Sequence, residues 1–248
     1  AVDTEYKAGD DMLYAQYVHG NGDDVQFAHV VRRDPLTGDV TADESTTAVK
    51  YHGFAGSLEY DVLLARSYDD DVLGIGLRRA IGGAEWGADA VLTRTTSDTY
   101  LQLVTNVSYS WTLRGRNVTG LAEYHYSGVG QRSGRYSPAD FVANPELLAR
   151  LLRGQSFTIG RHYLAGSATI ELTPLWTMTP LLLTNVADPS ALLQLTSQWS
   201  LTDNTVLLAS LSVPLGGSGT EFGGIPAGIP DRFLSLRARA FVQFAGYF

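Results

Sequence analysis

The feature that most constrains this chain is an alternation of apolar and polar residues with period two, sustained over segments longer than ordinary strands. Across residues 100–113 one face reads Tyr100, Gln102, Val104, Asn106, Ser108, Ser110, Thr112, and the other Leu101, Leu103, Thr105, Val107, Tyr109, Trp111, Leu113. A strand with such faces stands between two different media. The pattern returns near the end, where Ser235, Arg237, Arg239 and Gln243 oppose Leu234, Leu236, Ala238, Ala240, Val242 and Phe244. It is also present upstream: Arg161, Tyr163, Ser167, Thr169 and Glu171 oppose Leu164, Ala168, Ile170 and Leu172, and Glu85 and Asp89 oppose Trp86, Ala88, Ala90 and Leu92.

Strands are expected at 11–19, 24–33, 46–55, 57–68, 71–81, 84–95, 98–113, 117–127, 155–173, 175–187, 190–201, 203–214 and 232–247. Between them lies turn chemistry such as Gly20-Asn21-Gly22-Asp23, Asp69-Asp70-Asp71, Gly82-Gly83, Gly115-Arg116-Asn117, Asp188-Pro189 and Asp203-Asn204. Many of these segments run to roughly 10–16 residues, against about 5–6 in globular sheets and about 9–11 for a tilted membrane-crossing strand. Tyr109, Trp111, Trp176, Trp199, Tyr247 and Phe248 collect at segment ends, as in an interfacial girdle. The expected fold is therefore all-β: one domain over 1–248, an antiparallel up-and-down transmembrane β-barrel of about 12–14 strands with its apolar face outward. A soluble sandwich would alternate too, with the apolar face inward, but its strands would be shorter.

Three connectors are long, 34–45, 128–154 and 215–231, and all fall at the same margin when strands are counted back from the C-terminus. Barrels of the bacterial outer membrane have short periplasmic turns and long outer loops, so these are expected to be outer loops. Thirteen segments sit awkwardly with the even strand numbers of single-chain bacterial barrels. Residues 1–8 supplying a fourteenth strand, one misassigned segment, or a larger barrel of which this chain is a piece would each resolve the parity.

Composition narrows the function. The chain has 248 residues, a net charge of -8, and only 18% charged residues. An acidic balance argues against nucleic acid as a partner, since phosphate binding needs a basic face. With no cysteine, disulfides and thiolate chemistry are excluded. No run of about 18 apolar residues offers a membrane-crossing helix, and the start at Ala1-Val2-Asp3-Thr4-Glu5 does not read as a signal peptide.

The closing Phe248, with Phe244, Val242 and Ala240 at alternating positions, resembles the C-terminal signature of Gram-negative outer-membrane proteins, whose terminal strand is read by the barrel insertion machinery. Leu121-Ala122-Glu123-Tyr124-His125-Tyr126-Ser127-Gly128, Gly160-Arg161-His162-Tyr163-Leu164, Ser190-Ala191-Leu192-Leu193 and Leu201-Thr202-Asp203-Asn204 are similar to the C-terminal half of uncharacterised porin-like barrels. That resemblance implies an outer-membrane location, lipid and lipopolysaccharide as surroundings, and further strands upstream.

The expected activity is passage of a small solute, with no cofactor and no metal. Pore-lining candidates are Glu59, Asp61, Glu85, Asp89, Glu123, His125, Arg161, Glu171, Arg237 and Arg239, whose opposed charges would set up a transverse field. The blander reading pairs them as salt bridges filling a closed barrel. His125 and Ser127 share a strand face, and outer-membrane phospholipases and lipid A deacylases carry a similar His-x-Ser; here Gly128 follows where those families have Asn. A lipid hydrolase is thus the alternative, and a structural or export-complex barrel the third. In the loop 128–154, Pro145–Arg153 reads as a short amphipathic helix that plugs the barrel or lies at its rim. Asp23-Asp24 and Asp69-Asp70-Asp71 could hold Ca²⁺ but read as solvated turns. The five His residues have no metal-ligand spacing, and the Gly-rich loop 215–231 lacks that of a phosphate loop.

Overall fold

The computed structural model describes residues 10–34, 37–132, 134, 136–235 and 237–247. Its main strands are β1 (Asp11–Val18), β2 (Asp24–Val31), β3 (Thr46–Ala55), β4 (Leu58–Ser67), β5 (Asp70–Ile81), β6 (Ala84–Arg94), β7 (Thr99–Leu113) and β8 (Arg116–Ser127). After two helices, α1 (Pro138–Val142) and α2 (Pro145–Leu152), come β9 (His162–Thr173), β10 (Trp176–Asn185), β11 (Ser190–Thr202) and β12 (Thr205–Leu215). A two-residue pair, β13 (Ile225–Pro226) and β14 (Phe233–Leu234), precedes β15 (Arg239–Gly246). The sheet has thirteen strands in the order β1 through β12 and then β15, an antiparallel up-and-down meander. β1 and β15 end that order. No ladder joins them among the described residues, so closure into a barrel is not seen. No helix among the described residues is long and apolar enough to cross a membrane.

Two-residue turns set the register. Tyr68–Asp69 and Arg114–Gly115 both have positive φ at the two central positions, the turn whose twist matches its flanking strands. The expected Asp-rich turn thus sits one residue earlier: Asp70 and Asp71 belong to β5, and Arg116 begins β8. The expected strand 155–173 begins only at His162, and 232–247 only at Arg239. Both lose their leading residues to loop structure at the margin of the sheet.

The chain divides into two compact units. The first takes residues up to Arg79 with Ala88–Leu101, the second Ala80–Gly87 and the chain from Gln102 onward. In the second unit one face of the sheet is a continuous apolar surface left in the open. Leu164 is 52% exposed, Leu182 44% and Leu211 45%, although large apolar side chains are what a soluble sheet would bury. Aromatics flank this surface. Tyr109 and Trp111 stack near the Arg114–Gly115 turn, Trp176 stacks on Trp199 near two others, and Tyr124, Tyr126 and His162 cluster at the far margin. From Val118, opposite Trp111, to Tyr126 is about 26 Å along β8 at ~3.3 Å per residue.

The first unit carries the same alternation. Val62, Leu64, Leu73, Ile75 and Leu92 are exposed. Their strand neighbours Asp61, Leu63, Gly74 and Gly76 turn to the other face.

Candidate functional site

The polar face of the first unit holds an ion network on β3–β6. Asp61 sits opposite His52 in the β3–β4 ladder and lies 3.0 Å from its Nδ1 and 2.9 Å from Lys50 Nζ. Arg78, on β5, lies 3.5 Å from Asp61 and 3.7 Å from Asp89. Glu59 lies 3.9 Å from His52 Nε2. Gly76 makes room for this convergence: a Cβ there would stand 2.7 Å from an Asp89 oxygen and 3.4 Å from Asp61. Three of the expected residues, Glu59, Asp61 and Asp89, are thus brought together, with Lys50, His52 and Arg78 as partners that sequence reading did not assign. Glu85 shares the β6 face of Asp89 by alternation and is exposed.

The second unit places Glu123 and His125 on the polar face of β8, opposite Asn106 and Val104 of β7. Ser167, Thr169 and Glu171 of β9 lie on the same face, as do Gln194, Thr196 and Gln198 of β11 and Ser210 and Ser212 of β12. Glu171 accepts a hydrogen bond from Asn117 at 2.8 Å, and Arg239 pairs with Ser212. The face is not uniformly polar, since Leu183 and Leu192 meet on it. Arg161 lies just ahead of β9, and its Nε donates to Gly130 O at 2.8 Å. Arg237 precedes β15 and is exposed. Phe244 is 69% exposed on the apolar face, paired with Leu207; Phe248 lies outside the described residues.

At the long-loop margin the polar face is covered. Tyr163, Asn185, Ser190 and Ser127 are at most 2% exposed beneath loops 128–161 and 216–235. The clasp centres on Glu221. Its carboxylate accepts from Tyr163 OH at 2.5 Å, Asn185 Nδ2 at 2.7 Å and the Ile159 amide at 3.0 Å. Its own amide donates to Asp188 at 2.6 Å, and Asp188 also accepts from Ser190 Oγ at 2.5 Å. Asn185 further donates to Tyr136 OH at 2.8 Å. Burial pushes the Glu221 carboxyl up from its usual range, against the three hydrogen bonds that favour its ionised form. Burial likewise pushes the Tyr136 hydroxyl up. Beside this polar knot, Tyr136, Leu147 and Ile159 form a small apolar core with Phe141, Leu151 and Ile225.

Local chemistry builds the covering loops. Ser137 and Asp140 form a capping box on α1, with Pro138 in the first turn. Asn144 caps α2, accepting from the Leu147 amide while its Nδ2 donates to Val129 O at 2.8 Å. The expected helix from Pro145 is therefore present and α1 is additional. Gly130 passes so close to Gly160 O that a Cβ would collide with it. That approach allows the bridge between Gln131 and Gly160.

Ser127 and His125 do not form a nucleophile–base pair. No hydrogen bond joins them among the described residues, Ser127 is 2% exposed, and the His125 ring stacks with Tyr163. The acidic turns serve structure. Asp23 accepts from Tyr51 OH and Asn21, bonds that hold its carboxyl below the usual range, and Asp69 and Asp71 pair with Arg66 and Arg94.

Tyr136, Asn185, Asp188, Ser190 and Glu221 were not among the expected site residues. The available signals were weak: an acid, Glu221, in a glycine-rich loop, and Asn185 closing a strand that runs Leu181-Leu182-Leu183-Thr184 before it. No protein-family profile, characterised protein or solved structure matches the chain.

Proposed function

We propose that this chain forms an outer-membrane β-barrel, whole or in part, whose polar face guides a small solute across the membrane. The observation that carries the reading is the inverted alternation of the second unit. Its exposed face presents Leu164, Leu182, Leu193 and Leu211, while glutamine, serine, threonine and charge occupy the face toward which the long loops fold. In water such an apolar surface would drive association; against lipid tails it is solvated by its surroundings. The flanking aromatics suit the two interfaces of a bilayer, since ~26 Å along a strand tilted by ~40° gives roughly 20 Å of apolar height. Porin-like proteins of the Gram-negative envelope share this design.

Within this reading the loops that cover the strand ends of the second unit narrow the path there, and the charged groups on its polar face, Glu123, Glu171 and Arg239, act on the solute. Detergent-refolded protein is expected to run as a compact, heat-modifiable band and to give stepwise conductance in a planar bilayer. Arg239→Glu should shift the ratio of anion to cation permeability toward cations. A folded, heat-modifiable protein without conductance steps would sink the channel reading; failure to form the compact band would sink the self-sufficient barrel.

A further inference from the structure

Beside the clasp, the covering loops of the second unit border an open pocket of about 540 Å³ that shares Glu221 and Ile159 with it. Its apolar side is made by Phe157, Ile159, Phe222, Ile225, Phe233 and Leu234, three of them aromatic. Several of these side chains are poorly covered: Phe157 is 91% exposed, Leu234 69% and Phe233 42%. The volume falls within the ~300–1,000 Å³ typical of small-molecule sites. Two charged side chains line the same pocket, Glu221 and Arg237. Their situations differ. The Glu221 carboxylate already accepts from Tyr163, Asn185 and the Ile159 amide. Arg237 has no hydrogen-bond or ion-pair partner among the described residues. A guanidinium with five donors beside an aromatic wall is matched by a carboxylate attached to an apolar body.

We propose that this pocket is a binding subsite for a small amphipathic carboxylate, its apolar part against Phe157, Phe222 and Phe233 and its carboxylate on Arg237. The proposal deepens the solute-passage reading, on which it rests, by naming the class of solute. The hydrogen bonds that occupy Glu221, and the burial that pushes its carboxyl toward the neutral form, limit its repulsion of an anion. An organic ammonium would need Glu221 released from its three donors.

The test uses the full chain in nanodiscs, with empty discs as blank, titrated calorimetrically with 4-phenylbutanoate, 4-phenylbutan-1-ol and 4-phenylbutylammonium. The carboxylate is expected to bind about tenfold more tightly than the alcohol, the scale of one charge-assisted contact. Arg237→Gln should erase that preference while leaving alcohol binding in place, Arg237→Lys should keep part of it, and Phe233→Ser should weaken both ligands. Heat-modifiable mobility checks that each variant is folded. Absence of binding, a preference that survives Arg237→Gln, or tighter binding of the ammonium would overturn the proposal. Conductance separates this result from the pore reading. A conducting protein that ignores all three probes overturns the pocket and leaves the pore. A protein that binds the carboxylate through Arg237 but does not conduct supports the pocket and overturns the pore.

Discussion

A single carboxylate joins the covering loops to the sheet. Glu221 gathers donors from β9, from Asn185 at the end of β10 and from the loop at Ile159, so its replacement leaves several buried groups short of an acceptor. Glu221→Gln puts an amide donor where the others also donate. We expect it to weaken loop closure by about 1–3 kcal/mol while sparing the sheet. Hydrogen exchange at the Ile159 and Glu221 amides would register that change. The same position sets a pH dependence. The folded carboxyl is raised above its ordinary 4.5, so its contribution is fully present below that pH and lost as pH rises through the folded value. Loop protection should therefore fall toward alkaline pH in the wild type and vary less in Glu221→Gln. None of this was legible in the sequence, because the groups that meet Glu221 are up to 62 residues away and no local period records them.

Individual elements were far more legible. Long alternation located the thirteen sheet strands because a side-chain period of two has no other simple source, and paired residues with positive φ, as at Arg114–Gly115, tied hairpins to short turns. Legibility failed where alternation continued into residues that the loops recruit: 155–161 alternate acceptably, yet the clasp and the Gln131–Gly160 bridge hold them off the sheet. Helix α2 was readable from Pro145 and its leucines, whereas α1, only five residues long, gave too little sequence for a period to show. The cap of α2 carries a prediction. Asn144→Ala removes both the bond from Leu147 N and the tie to Val129, and should cost about 1–2 kcal/mol of loop stability. Exchange at Leu147 and Leu148 should rise while β10 and β11 stay protected. At β4, Asp61→Asn would leave Lys50, His52 and Arg78 facing one another with less negative charge among them. The expected loss is about 1–3 kcal/mol in urea unfolding, smaller at high salt because the network is partly exposed.

At the scale of the molecule, the question is which face of the sheet meets lipid, and two adjacent residues can answer it. Leu182 lies on the exposed apolar face opposite Leu193, and Leu181 on the polar face opposite Gln194. If the apolar face meets the bilayer, Leu182→Arg should cost about 2–4 kcal/mol of folding in lipid, and Leu181→Arg much less. Refolding yields of the two variants in liposomes would measure it; the opposite ranking would return the sheet to a soluble protein with its apolar side inward. The fold class was readable because alternation reports that the faces differ. It does not report whether the ends of the strand order meet, and no ladder joins β1 to β15 among the described residues.

The clasp also sets an order of events in time. The hairpins of the second unit need only short closures, such as Leu113 with Arg116, whereas β8 meets β9 across the whole of the loop 128–161 and Glu221 reaches Tyr163 and Ile159 across 58 and 62 residues. Because longer closures form more slowly, the hairpins are expected to form before β9 joins β8 and before the margin is covered. The long connectors, rather than the tight turns, are therefore expected to set the pace at which the molecule is completed.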